Sequence, residues 1–263
     1  LGGYWRGQAF QGFVYDSKNN HLYTSHRGDN NASAPGGCHA NSEPTYLCRY
    51  TIDENGIPNQ ESYSYPLDIG HAQDLSIEYD DGNNYFGDVY LWTSNKSGKG
   101  ATRIRYEGNF TSGLPDDFDN LLPQGYSSST PTVSTNGRYL VIRGLDGNTN
   151  TIFVYLLDDV KKGLKDHVYS FNIHPDQDNS SSMKFQGILC DNDIIYCLTG
   201  DYKKSTDNPK LLYAYSLNGE TLFKRLVETG KSWSHPIMYE PEGMAIYNPT
   251  PNIKALLIGI CTF

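Results

Sequence analysis

The chain has 263 residues, a formal net charge of -9 and 37% hydrophobic residues, a length that suits one large domain or two small ones. Charged residues make up 19%, too few for a disordered chain, and no stretch approaches the roughly 18 apolar residues of a membrane-spanning helix, which excludes a helical membrane protein. The balance of 30 acidic against 21 basic residues argues against a nucleic-acid groove, where clustered Lys and Arg are needed.

The chain opens at Leu1 with no apolar leader, as a mature or excised segment would. It carries 21 Tyr against 3 Met, and it is rich in Gly and Asn. That composition belongs to β proteins with long polar loops. In chain order, Phe13 to Asp16 and Leu22 to Ser25 predict a hairpin across Ser17-Lys18-Asn19-Asn20. Leu75 to Tyr79 and Val89 to Thr93 predict a second, turning at Asp80-Asp81-Gly82. Pro131 to Ser134 and Arg138 to Arg143 form a third around Thr135-Asn136-Gly137. Gly187 to Cys190 and Ile194 to Thr199 form a fourth around Asp191-Asn192-Asp193. Gly243 to Tyr247 and Lys254 to Ile260 form a fifth, with its turn in Asn248 through Asn252.

These hairpins start at intervals of roughly 50 to 60 residues, near the period of propeller blades. Further strands follow them, at Tyr46 to Ile52, Thr102 to Tyr106, Ile152 to Leu156 and Leu211 to Leu217. Leu157 to Leu164 is the one helical piece. Composition does not shift along the chain, so residues 1–263 are read as a single all-β domain, a five-bladed β-propeller. A β-sandwich would explain the strands but not five equivalent hairpin starts.

None of the five cysteines stands at zinc-finger spacing. Cys190 and Cys197 flank a turn at offsets that place a disulfide badly. Cys38 and Cys48 bracket one polar loop and are either bridged or free; the odd count favours at least one free thiol.

Each hairpin begins with a short polar phrase: Gln11-Gly12-Phe13, His71-Ala72-Gln73-Asp74, Thr130-Pro131-Thr132, Gln186-Gly187-Ile188 and Glu240-Pro241-Glu242-Gly243. In a propeller the first strand of each blade lines the central channel. Gln11, His71, Gln73, Gln186, Glu240 and Glu242 are therefore expected to ring one channel mouth. They would either hold a ligand or a channel cation, or hydrogen-bond neighbouring blades and close the ring. No other cofactor is indicated. The loops offer a second set. His26, Arg27, Asn95, Tyr202, Lys203, Lys231, Trp233 and His235 put cations beside aromatic or amide groups, the chemistry that meets sugar faces and hydroxyls. Sequons at Asn31, Asn95, Asn109 and Asn179 are read as chance in so Asn-rich a chain.

At these phrases the chain resembles the propeller shared by staphylococcal phage tail receptor-binding proteins, proteins named for teichoic-acid biosynthesis and helveticin-type bacteriocins. The resembling stretches are Gln11 to Asp16, His71 to Ser76 with Val89 to Thr93, Pro131 to Leu140, Gln186 to Ile188, Tyr213 to Gly219 and Glu240 to Met244, collinear over nearly the whole chain. The Cys38–Cys48 loop departs from that pattern. The resemblance implies a five-bladed propeller in a virion tail or an extracellular setting. It implies binding to a bacterial cell-wall glycopolymer such as wall teichoic acid, and a homotrimeric full-length protein. No nucleic-acid or membrane partner is indicated. A secreted bacteriocin or lectin-like propeller is the alternative. A glycoside hydrolase is the less favoured one, because it needs two carboxyl groups facing one cleft. Its candidate acids are Asp16, Asp74, Glu240 and Glu242.

Overall fold

The computed structural model describes residues 9–27, 45–64, 67–70, 72–79, 89–106, 115–173, 184–201, 210–228, 239–250 and 253–262. The first sheet orders β1 (Ala9–Asp16), β2 (His21–Arg27), β3 (Thr45–Ile52) and β4 (Pro58–Tyr63) from inside to outside. The second holds β5 (Ser76–Tyr79), β6 (Val89–Ser94), β7 (Ala101–Tyr106) and β8 (Asp116–Phe118). The third holds β9 (Ser127–Val133), β10 (Tyr139–Asp146), β11 (Thr149–Leu156) and β12 (Tyr169–Asn172). The fourth holds β13 (Phe185–Asp191), β14 (Ile194–Thr199), β15 (Leu211–Ser216) and β16 (Thr221–Leu226). Among the described residues the fifth sheet is the hairpin of β17 (Tyr239–Thr250) and β18 (Ile253–Thr262).

Every pairing is antiparallel between chain neighbours, so each sheet is a meander. The innermost strands touch in a closed cycle: β1 with β5, β5 with β9, β9 with β13, β13 with β17, and β17 with β1. Five sheets around one axis are a five-bladed propeller, as the hairpin spacing predicts.

Packing between blades explains the sequence pattern. Val14, Tyr23 and Leu47 of the first blade meet Leu75, Leu91 and Ile104 of the second. Trp92 and Ala101 meet Leu140, Ile142 and Phe153 of the third. Val141, Ile152 and Val154 meet Ile188, Ile195 and Tyr213 of the fourth, and Leu189, Leu198 and Leu212 pack on Met244 of the fifth. A middle strand is thus buried on both faces and reads as an apolar run, as in Leu140-Val141-Ile142, rather than as an alternation.

The tight turns follow side-chain chemistry. The Asp16 carboxylate accepts the Lys18 and Asn19 backbone N–H groups at 3.0 and 3.1 Å, and Asn20 takes the left-handed conformation that closes the turn. Asn192 does the same in the fourth hairpin.

Several boundaries differ from the expectation. β9 starts at Ser127 rather than Pro131, because its polar beginning pairs with Leu145. Leu75 lies just ahead of β5. β15 stops at Ser216, where the Ser216 hydroxyl organises the turn to Glu220. β17 continues to Thr250 through the stretch expected to turn. The helix α1 spans only Leu157–Lys161, closed by Gly163 in the left-handed region. The second hairpin's expected turn lies outside the described residues. Cys48, Cys190 and Cys197 are free, buried thiols, so the bridge from Cys48 to Cys38 is not formed; Cys38 itself lies outside the described residues. Cys190 faces Ile195 and Cys197 faces Ile188, a stagger that explains why those two do not pair.

Candidate functional site

The blades meet at Asp74. Gly12, Gly187 and Gly243 press against it: a β-carbon on Gly12 would lie 2.8 Å from the Asp74 backbone, and one on Gly243 would lie 3.0 Å from Asp74 Oδ1. In three blades the innermost strand carries an irregularity at the polar residue beside the glycine, at Gln11, at Gln186 and at Glu242-Gly243. These irregularities re-aim the strand start toward the axis. Asp74 adopts a left-handed backbone and is 1% exposed. Its Oδ2 accepts the Ile188 backbone N–H at 2.7 Å, which ties the second blade to the fourth. Oδ1 has no hydrogen-bond partner among the described residues.

Burial raises the Asp74 pKa to about 8 against the Ile188 hydrogen bond. Burial also raises Glu242 to about 9, with Glu240 and Asp74 adding to the effect. Both acids hold protons in the folded state that the unfolded chain releases near its ordinary pKa. Their contribution to stability is therefore complete below about pH 4 and is lost as pH rises through about 8 and 9. Asp74→Asn keeps an oxygen for the Ile188 N–H and has nothing to ionise. The expected result is a thermal midpoint above wild type at pH 9 and no such gain at pH 4. Parallel curves across that range would contradict the assignment.

At the mouth, Gln73 Nε2 donates to Gln186 Oε1 at 3.4 Å. Gln186 Nε2 donates in turn to Glu240 Oε1 at 2.8 Å and to the Gly200 carbonyl at 2.9 Å. Three of the predicted mouth residues, from three blades, thus form one hydrogen-bonded chain. Gln11 is buried but donates to the Phe10 carbonyl of its own strand. Glu242 is buried close enough to Glu240 and Asp74 to feel both charges. His71 lies outside the described residues. Among the described residues no three His, Cys, Asp or Glu side chains converge as a metal ligand set would. Asp16 and Asp74 are both enclosed, so neither faces a cleft as a glycosidase acid must.

Of the loop residues, His26 shares a 2.8 Å hydrogen bond with Thr24 and sits edge-on to Phe10; burial lowers its pKa to about 4, so the ring is neutral. Arg27 ends β2, half-buried. Asn95 is buried and organises its own loop: Nδ2 donates to Asp119 at 2.6 Å, and Oδ1 accepts from Ser97 and from the Gly100 N–H. Tyr202, Lys203, Lys231, Trp233 and His235 lie outside the described residues.

Beside the mouth, a cavity of about 480 Å³ opens between the β6–β7 loop and the start of β9. Arg143, Lys96 and the run Ser127 to Thr130 line it. Sequence reading missed Arg143 and the serines. The available signal was a lone cation inside the apolar run Leu140-Val141-Ile142-Arg143.

The profile of the phage five-bladed β-propeller receptor-binding platform domain matches residues 9–262, and the chain belongs to that family. Membership makes it a receptor-binding platform domain of a phage, part of the virion. The tail fibre of Staphylococcus aureus phage P68 superposes with a TM-score of 0.69 at 21% identity, over 99% of this chain and 48% of that one, so the chain spans about half the fibre's length. An α-L-arabinofuranosidase from Clostridium thermocellum (TM-score 0.49, 12% identity, 93% of this chain and 80% of that one) and a chain of the nidogen/laminin complex (0.49, 8%, 92% and 70%) are more distant and carry no functional argument. No curated protein matches the chain in sequence.

Proposed function

We propose that this platform binds a bacterial cell-wall glycopolymer, such as wall teichoic acid, through the propeller rim at the channel mouth. Membership in a receptor-binding family over residues 9–262 carries this reading. Support comes from the polar cavity beside the mouth and from the cation-and-aromatic segments Tyr202-Lys203 and Lys231-Ser232-Trp233-Ser234-His235. Sugars stack their C–H faces on aromatic rings while polar groups meet their hydroxyls. In the full-length tail protein three copies would present three such rims, and binding at several would multiply avidity.

Trp233→Ala tests the aromatic part. It is expected to weaken retention on purified cell walls about tenfold, roughly the worth of one aromatic contact of 1–1.5 kcal/mol. The thermal midpoint should stay within a degree or two of wild type. Unchanged retention would remove Trp233 from the site.

A further inference from the structure

The cavity between the second and third blades differs from the rest of the surface in charge. The chain carries a net charge of -9, yet among the described residues no Asp or Glu lines this cavity. Its lining includes Arg143, only 5% exposed, and Lys96 at the rim. Asp68 pairs with Lys96, and Asp119 holds Asn95, from outside the lining. Arg143 Nε donates to Asn150 Oδ1 at 2.5 Å, one Nη1 hydrogen goes to the Ser128 carbonyl at 2.9 Å, and the Phe185 ring lies 4.8 Å from the guanidinium carbon. The remaining guanidinium N–H groups have no acceptor, and no carboxylate pairs with Arg143, among the described residues. Burial lowers its pKa to about 10, which leaves it a cation at neutral pH. A buried charge without a counter-ion is costly unless something supplies one.

Two further features point the same way. The Ser129 hydroxyl is buried in the lining and has no hydrogen-bond partner among the described residues. Ser128 is held at φ 55, a left-handed conformation that is strained for a side-chain-bearing residue and that collects at binding sites. The Ser129 backbone N–H donates to the Gly98 carbonyl at 2.9 Å, which holds the facing loop against this segment.

We propose that this cavity is an oxyanion subsite that takes a phosphate group through Arg143 and the Ser128–Ser129 segment. Its natural occupant would be the phosphodiester of a polyol-phosphate wall polymer. That last assignment rests on the glycopolymer reading above; the oxyanion site itself does not. Arg reads phosphate oxygens through paired N–H donors, and hydroxyls complete the shell.

Titrating the chain with inorganic phosphate at constant ionic strength, followed by amide NMR, tests the site. Saturable shifts confined to Gly98, Ser128, Ser129 and their neighbours are expected, repeated with glycerol 3-phosphate and absent with glycerol. No saturable shift, or shifts scattered over the surface, would overturn the proposal. Arg143→Gln should weaken phosphate binding at least about tenfold. Because Arg143→Gln removes a buried charge, Ser129→Asp, which leaves Arg143 in place, is the second variant, with its thermal midpoint measured alongside. It places a carboxylate beside Arg143, and it should abolish phosphate binding with the thermal midpoint retained. Persistent phosphate binding in folded Ser129→Asp would overturn the site. If Ser129→Asp loses phosphate but keeps full retention on cell walls, the polymer assignment of the cavity falls while the glycopolymer reading stands. If wild type binds phosphate but ignores walls, the glycopolymer reading falls and the oxyanion site stands.

Discussion

Glu78→Ala is expected to cost about 3–5 kcal/mol in denaturant unfolding, the range for removing one partner from a buried ionic network. The Glu78 carboxylate is 7% exposed and accepts from Trp92 Nε1 at 2.8 Å, from Arg103 Nε at 2.8 Å and Nη2 at 3.2 Å, and from Lys161 Nζ at 3.0 Å. These bonds join three strands of the second blade to the helix between the third and fourth strands of the third blade. Burial pushes the carboxyl pKa up, but the bonds from Arg103, Trp92 and Lys161 outweigh it and leave the value lowered. The network therefore stabilises the fold above the ordinary carboxylate range, and the contribution is lost as pH falls through the lowered folded value. Removing Glu78 leaves the buried Trp92 N–H without its acceptor and Arg103, 16% exposed, with only the more exposed Asp116 at 3.5 Å. A loss below about 1 kcal/mol would show that the network is no stronger than surface pairs.

Gly12→Ala carries the next largest expected effect, about 3 kcal/mol, the upper end for overpacking. The added carbon would meet Asp74 backbone nitrogen and Cα at 2.8 Å, and neither can swing aside as a side chain could. Gly56→Ala is the control. Gly56 has φ +76 with nothing within 4 Å of the added carbon, so it should lose only the backbone preference, about 1 kcal/mol. Equal losses at the two positions would mean that the blades do not converge on Asp74. Comparison of urea midpoints decides it.

The first, third and fourth hairpins were legible because each pairs two strands across a short turn whose residues carry their own signal. Asn20 and Asn192 in left-handed conformations are what Asn-rich turns announce. The outer strands were not separately legible. β16 (Thr221–Leu226) is mostly exposed, so no burial pattern marks it as a strand. β8 (Asp116–Phe118) has three residues, too few for a period to appear. At the channel mouth, Gln73, Gln186 and Glu240 could be foreseen because equivalent blade starts must converge. Aligned with Gln11-Gly12, Gln186-Gly187 and Glu242-Gly243, the pair Gln73-Asp74 shows an aspartate in the glycine position, but only the structure shows that the three glycines pack against it. Asn95 shows the opposite failure. Its sequence context suggested a ligand contact, yet its amide is used in shaping the loop that borders the cavity.

Retention of the chain on purified walls from isogenic strains with and without teichoic acid tests the recognition account most directly. Saturable binding to the first and at least a tenfold drop on the second, roughly 1.4 kcal/mol or more, is the predicted result. Equal retention on both walls would contradict it and direct the search to another surface receptor.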